Sequence, residues 1–486
     1  MLSFINITLR KGFSMISWLE RSCFAGLIAL LIWLPIPLGS NRIWAWTIGE
    51  VWIATIAFVL AGIFYHSRDS ALSQRLKAFL WLIVPIATFQ VWVLIQIIPM
   101  PVSMLEWISP SSADAYQNVA ARWGYISLDP AATYISLLKG VAYLFFICIC
   151  AILIHSKKRL KLVMLAIVVS GTLQAFYASL NVLLGVESSW IFGFPETDIA
   201  TGSFVYKNHL ANYLLLCLSM GIGLIVIDLS SSSTGSSSWQ ERVNALLQLL
   251  VSKKMLIRFA LIIMVIALVM TRSRMGNSAF FVATFITGII ALCCYKQRPP
   301  KLTWLLISLF VVDIIVLGSF FGLEKVQQRI AESHLSSDTR HLVVQWSIPM
   351  LKDFLLTGSG LGSFYIVFPS YTQHAVGFYD HAHNEYIQFV AEVGLPATLL
   401  LALAVLWAFG LAVWVISHRQ SRTCKGAALG GLVALVAMLL HITVDFNLQA
   451  PANTVTFLAI LAIIGASYSI ATPLQRTRQQ KVISDV

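Results

Sequence analysis

The chain has 486 residues, of which 58% are hydrophobic and only 11% are charged, and its formal net charge is +12. Soluble globular domains carry about 25% charged residues, so this composition, with a mean hydropathy of +0.81, excludes an ordinary soluble domain. Lipid offers no hydrogen bonds to a bare backbone, and an apolar run of about 20 residues therefore predicts a spanning helix. Strands of a membrane barrel alternate polar and apolar residues, and the runs of this sequence do not.

About twelve such runs predict an all-α polytopic membrane protein. In chain order they lie near residues 23–38, 43–64, 78–98, 134–154, 160–184, 208–228, 256–270, 276–295, 302–321, 386–416, 426–446 and 453–471. The runs divide the chain into helices 1–9 within residues 1–321, a long loop at 322–385 between helices 9 and 10, and helices 10–12 with a tail at 386–486.

The distribution of lysine and arginine orients the chain, because cytoplasmic loops retain these residues. With the N-terminus in the cytoplasm, 23 of the 33 Lys and Arg residues fall on the cytoplasmic side. Both termini are then cytoplasmic, and the longest loops lie outside. Topology accounts for the basic charge, so a nucleic-acid partner is not needed.

Two basic motifs lie on the outer side against this bias. Arg272 and Arg274 occupy Thr271-Arg-Ser-Arg-Met-Gly276, a very short turn between two apolar runs, and Lys207 and Asn208 lie where another helix begins. Guanidinium groups bind phosphates bidentately, and a helix N-terminus also favours an anion, so these motifs predict an anion clamp. The alternative is that the cations snorkel to lipid phosphates.

A histidine motif, Asp380-His-Ala-His-Asn-Glu385, joins the longest outer loop to the following helix. In its simplest interpretation Asn384 caps that helix. His381 and His383 beside an Asp could ligate a metal, but they are neighbours on one irregular stretch with no clear third histidine, so we expect no metal. A neutral imidazole, with an ordinary pKa of about 6.5, suits a general base for a hydroxyl group. Either histidine fits that role on chemistry alone.

Further polar residues lie within the apolar runs. His441 and Asp445 are four residues apart, on one face of the predicted eleventh helix near its outer end, where they can hydrogen-bond. They form either a buried structural pair or part of a substrate site. The charged residues Glu50, Lys139 and Asp313 are scattered along other runs, where such residues often mark the path of a transported ion.

Together these residues resemble the O-antigen ligase and O-antigen polymerase superfamily of bacterial envelope glycosyltransferases. The resemblance covers most of the chain and is strongest over 338–397, where Asp338-Thr-Arg-His341 and Thr357-Gly-Ser-Gly-Leu-Gly-Ser-Phe364 precede His383-Asn-Glu-Tyr-Ile-Gln-Phe-Val-Ala-Glu-Val-Gly394. The last segment is similar to the His-Asn…Glu-x-Gly signature of the family. Thr271-Arg-Ser-Arg274 resembles its Ser-Arg turn, and His441-Ile-Thr-Val-Asp445 its late His…Asp element.

The resemblance implies a GT-C-like enzyme of the bacterial inner membrane, with the 322–385 loop and the active site in the periplasm. It implies that His383, rather than His381, is the catalytic base and that Arg274 and Arg340 hold the diphosphate of an undecaprenyl-linked glycan donor. The acceptor is then the lipid A core or a lipid-linked glycan, and the transfer is inverting and needs no metal or other cofactor. The positions expected to contact substrate are Lys207, Asn208, Arg272, His381, Asn384, Glu392, His441 and Asp445.

Several functions remain open within this resemblance. We slightly prefer an O-antigen ligase for lipopolysaccharide or surface polysaccharide, and a polymerase of the same family is the next alternative. Relatives that glycosylate Ser or Thr of proteins often carry a large domain after the last helix, which this sequence does not offer. A bicarbonate transporter is the alternative of a different class, and the scattered charges do not favour it.

Overall fold

The computed structural model describes residues 2–67, 70–195, 198–229, 253–295, 303, 307–308, 311, 340–374 and 377–470. The helices within them are α1 (Leu2–Trp33), α2 (Ile43–Ser67), α3 (Ser70–Lys77), α4 (Leu80–Gln96), α5 (Val102–Ile108), α6 (Pro110–Gln117), α7 (Pro130–Leu153), α8 (Lys157–Leu183), α9 (Lys207–Asp228), α10 (Lys253–Met270), α11 (Arg274–Cys294), α12 (Arg340–Asp353), α13 (Phe364–Val367), α14 (Glu385–His418), α15 (Arg422–His441) and α16 (Pro451–Ser469). Two short strands, β1 (Met100–Pro101) and β2 (Trp123–Gly124), pair antiparallel.

Among the described residues, nine helices are long and apolar enough to cross a membrane, and the pair α3 and α4, bent by 71°, adds a tenth if it is counted as one span. The shorter α10 is also apolar. These helices coincide with the runs predicted from hydropathy, which confirms an all-α polytopic membrane protein. The predicted run at 302–321 lies almost entirely outside the described residues, so the count of twelve stays a prediction.

The predicted long loop at 322–385 contains regular structure in its described part. There, α12 packs against α14, and Trp346 and Met350 of α12 share a small apolar core with Phe364 and Phe368. This core is separate from the main core between the long helices. It provides a folded platform beside the start of α14.

The centre of the bundle is α9, which is almost entirely buried. Close packing of small residues joins it to α15: a Cβ added to Gly223 would lie 2.6 Å from the carbonyl oxygen of Gly426 and 3.3 Å from the Cα of Gly430. Small residues let helix backbones approach in this way. Because the two helices run antiparallel, the first residue of α9 and the last residue of α15 lie at the same end of the bundle.

A break divides α14, which the hydropathy pattern predicts as one continuous run. Gly394 has a φ of 81°, which favours glycine, and Pro396 follows it inside the helix. Carbonyl groups just before the break accept hydrogen bonds from the N–H groups of Ser359 and Gly360, each at 2.9 Å. The break therefore anchors the glycine-rich segment 357–364 against the first turns of α14.

Candidate active site

The candidate residues converge at one end of the bundle. Lys207 is the first residue of α9, Arg274 is the first residue of α11, and His441 is the last residue of α15. The start of α14 is tied to the same place, since the N–H of Glu385 donates to the carbonyl of Ile442 at 3.0 Å. The fold thus brings together motifs that are far apart in the sequence.

His383 lies two residues before the first residue of α14, with a φ of 52°. Residues other than glycine rarely adopt this backbone conformation, so tertiary contacts must hold it. Its side chain is 11% exposed, and its Nδ1 is 3.9 Å from Oδ1 of Asp445. That separation exceeds a hydrogen bond but allows a substantial electrostatic interaction. The side chain of Asn384 accepts a hydrogen bond from the N–H of Ile387 at 3.1 Å, which confirms the capping interpretation.

The prediction that His441 and Asp445 share one helix face is wrong, because α15 ends at His441. The next three residues are β-branched, and the hydroxyl of Thr443 donates to the carbonyl of Leu440 at 2.7 Å, which satisfies an acceptor at the helix end. His441 is fully buried, and its Nδ1 lies 3.2 Å from the side-chain nitrogen of Asn212. Asp445 faces His383 instead.

The carboxylate of Asp445 is buried beside His383. Burial raises the pKa of Asp445 to about 6, although the N–H of Phe446 and the charge of Arg340 oppose the shift. The group is therefore ionised at neutral pH. It is placed to stabilise an imidazolium at His383.

Four cationic side chains gather near the same point. They are Lys207, Arg272, Arg274 and Arg340, and all three arginines act electrostatically on Lys207. Arg340 Nη2 donates to the phenol oxygen of Tyr206 at 3.0 Å, and Asn208 Nδ2 donates to the same oxygen at 2.8 Å. Arg272 forms an ion pair with Asp198 at 2.7 Å, and both of these side chains are at least half exposed. These like charges repel one another, and an anion would relieve that repulsion.

His381 lies on the other side of the motif, against α14. Gln388 donates to Nδ1 of His381 at 3.0 Å and accepts from the N–H of Ala382 at 3.1 Å. Burial lowers the pKa of His381, although the charge of Asp380 opposes the shift, so the ring is neutral at neutral pH. Among the described residues, no three His, Cys, Asp or Glu side chains are grouped to hold a metal ion.

Glu392 and His441 lie beneath the site rather than at its surface. Glu392 is 2% exposed, and its Oε1 accepts from the N–H of Phe364 and from the side chain of Gln388, both at 3.2 Å. It thereby holds the glycine-rich segment against α14. The contact of Glu392 and His441 with substrate stays a prediction.

Two aromatic residues of the site were missed by the sequence interpretation. Tyr206 supports Arg340, and burial raises the pKa of Tyr206 to about 12, so its phenol stays protonated. Phe446 lies with its ring centroid 4.5 Å from that of His381 and 4.9 Å from that of His383. Each is adjacent in sequence to a predicted site residue, which is the signal that could have found it. Aromatic residues are common near the ends of membrane helices, so the pattern alone does not distinguish them.

The sequence predicts that the charged residues within the apolar runs are scattered, but the fold brings two of them together. Glu50 and Lys139 act on each other electrostatically because α2 packs against α7. The ammonium of Lys139 also lies 3.6 Å from the ring centroid of Trp46. Asp313 is outside the described residues.

Comparison with known proteins identifies one family. Residues 259–402 match the model of a family described as O-antigen ligase. The match contains Arg272, Arg274, Arg340, the two motif histidines, Asn384 and Glu392, and it confirms the resemblance to the O-antigen ligase and polymerase superfamily. It supports a glycosyltransferase of that type. No curated protein matches the chain.

Proposed function

We propose that this protein is an inverting, metal-independent membrane glycosyltransferase that moves a glycan from undecaprenyl diphosphate to an acceptor sugar. One observation carries the proposal: His383 lies beside the buried carboxylate of Asp445, at the same end of the bundle as a group of four cations. A base, a charge partner for that base and an anion site are the three elements that this reaction requires.

The cations supply the site for the leaving group. When the bond between the anomeric carbon and the diphosphate breaks, negative charge grows on the diphosphate oxygens, and fixed guanidinium groups stabilise it. Arg340 is held in place by Tyr206. Arg274 and Lys207 each begin a long helix, whose N-terminus also favours an anion. Arg272 joins them only if it leaves Asp198.

His383 activates the acceptor. Its Nδ1 faces Asp445, so Nε2 is the atom assigned to take the proton of the acceptor hydroxyl. The hydroxyl oxygen then bonds to the anomeric carbon from the face opposite the diphosphate, the bond to the diphosphate breaks, and the configuration inverts. The negative charge of Asp445 stabilises the imidazolium formed in this step.

We place the site in the periplasm and both termini in the cytoplasm of a bacterial inner membrane. Support comes from the basic residues at the other end of the bundle. Arg75 of α3 and Arg159 of α8 converge there on Glu20, on the side that the charge rule makes cytoplasmic. The lipid portions of the donor and acceptor stay in the membrane while their glycans reach the site.

We propose a ligase, whose acceptor is the lipid A core, slightly ahead of a polymerase, whose acceptor is a lipid-linked glycan; the family match supports the type of enzyme that both share. The test is transfer from an undecaprenyl-diphosphate glycan by purified protein in EDTA, with the two acceptors offered separately. Product on the core identifies a ligase, and a ladder on the lipid-linked glycan identifies a polymerase. No product with either acceptor, or activity that EDTA abolishes, would contradict the proposal, and uptake of labelled bicarbonate into vesicles would then be measured.

The same assay tests the base. His383→Gln is expected to leave a folded protein that transfers nothing. His418→Gln is the matched control, because His418 is an exposed histidine at the far end of α14. Near-normal transfer by the His383 variant would refute its assignment.

A further inference from the structure

We propose that Phe446 is a positioning residue for His383, and that His381 and Gln388 hold the Phe446 ring in place. The proposal rests on the assignment of His383 as the base. It gives a role to His381, which the proposed transfer does not use, and to the ring of Phe446.

Among the described residues, the Phe446 ring contacts four other rings, two of them nearly parallel to it and two nearly perpendicular. The rings of Tyr206 and His381 are nearly parallel to it, at interplanar angles of 13° and 29° and centroid distances of 5.4 and 4.5 Å. The rings of His209 and His383 are nearly perpendicular, at 88° and 77° and at 5.0 and 4.9 Å. Parallel offset and edge-to-face pairs are the favourable aromatic geometries, and a rotated Phe446 ring would lose them together.

His383 depends on such support. Its φ of 52° is unfavourable for a histidine, so contacts with the rest of the fold must hold it, and its Nδ1 lies 3.9 Å from Oδ1 of Asp445. Tyr379 and Phe446 both meet its ring in edge-to-face fashion, at centroid distances of 5.6 and 4.9 Å. Aromatic contacts therefore contribute to the direction in which the imidazole points.

Gln388 holds the ring of His381 against Phe446. This side chain is 2% exposed and joins three groups: the N–H of Ala382, Nδ1 of His381 and Oε1 of Glu392. Because its amide donates to Nδ1, the neutral ring of His381 carries its proton on Nε2. Glu392 is in turn bound to the backbone of the glycine-rich segment. A continuous set of contacts thus runs from that segment through His381 and Phe446 to His383.

The test compares Phe446→Leu, which keeps apolar volume, with Phe446→Tyr, which keeps the ring. Loss of the ring is expected to lower kcat about tenfold or more with little change in KM for the donor, because a misdirected base slows chemistry rather than binding. The tyrosine variant is expected to retain most of the activity. Phe89→Leu is the control, since Phe89 is a buried phenylalanine that makes an edge contact with Phe389, which is not one of the rings that Phe446 contacts.

A second measurement needs no substrate. Diethyl pyrocarbonate modifies accessible neutral imidazoles, and mass spectrometry of the peptides follows the rate at His383. The rate is expected to rise severalfold in Phe446→Leu and to stay near the wild-type value in Phe446→Tyr. An unchanged rate and kcat in the leucine variant would overturn the proposal, as would a tyrosine variant as impaired as the leucine variant. If the wild-type protein transfers no glycan, the proposed function fails, while the modification rate still decides whether Phe446 positions His383.

Discussion

Replacing Asp445 by Asn removes one charge and leaves the shape of the site almost unchanged. An imidazolium whose Nδ1 is 3.9 Å from Oδ1 of the carboxylate gains about 4 kcal/mol at an effective dielectric constant of about 20, and about 1 kcal/mol in bulk water. The histidine side chain is 11% exposed and the aspartate side chain 2%, so the true value lies between these limits. We therefore expect kcat to fall about 100-fold, within a range from about fivefold to about a thousandfold.

The effect should appear in kcat and not in KM. The imidazolium exists only after the proton has moved, so its stabilisation is absent from the bound ground state. Donor affinity should stay the same or improve, because Arg340 and Lys207 lose a neighbouring negative charge. The assay is steady-state transfer with purified protein, with Asp353→Asn as the control, since Asp353 pairs with Tyr371 outside the site. A kcat within twofold of wild type would refute the electrostatic argument.

Three further predictions follow from the structure. Burial holds the pKa of Asp445 at about 6, so its charge is present above that pH and lost below it, and the acid limb of the kcat profile should be less steep in Asp445→Asn than in wild type. Gly394→Ala forces a φ of 81° on alanine and places its Cβ 2.3 Å from a backbone carbonyl oxygen. The substitution should lower the free energy of unfolding by at least about 1–3 kcal/mol and lower Tm. Gly410→Ala is the control, because nothing lies within 4 Å of the added Cβ, and it should leave Tm unchanged. Arg340→Lys keeps the charge but loses the planar fork and should raise the donor KM about tenfold; Tyr206→Phe, which removes only the oxygen that Arg340 binds, should raise it less.

The helices could be located from the sequence because a membrane span needs a long apolar run. The N-terminal starts of α9 and α11 were also predictable, because polar and basic residues lie where these helices begin, at Lys207 and Arg274. The break in α14 was not. Hydropathy continues through Gly394 and Pro396, and only the packing of the glycine-rich segment shows why the helix is interrupted there.

The chemistry of the site was predictable in part. His383 and the arginines stand out in the sequence because charged and titratable residues are rare in this chain. The partner of Asp445 was assigned wrongly, since helical spacing makes His441 its neighbour only if the helix continues beyond residue 441. The backbone after His441 leaves the helix, and Asp445 is thereby directed to His383 instead.

Sequence alone determined that this is a membrane protein, which residues lie in its spans and which residue types are available for chemistry, because these properties depend on local composition and on the solvent that surrounds the chain. Only the tertiary structure decided which of those residues meet. The close packing of Gly223 on Gly426 sets α9 against α15, and the break at Gly394 ties the glycine-rich segment to α14. Some of these contacts join residues about 30 positions apart, and others join residues about 200 positions apart. No short-range pattern in the sequence encodes the distance of 3.9 Å between Nδ1 of His383 and Oδ1 of Asp445.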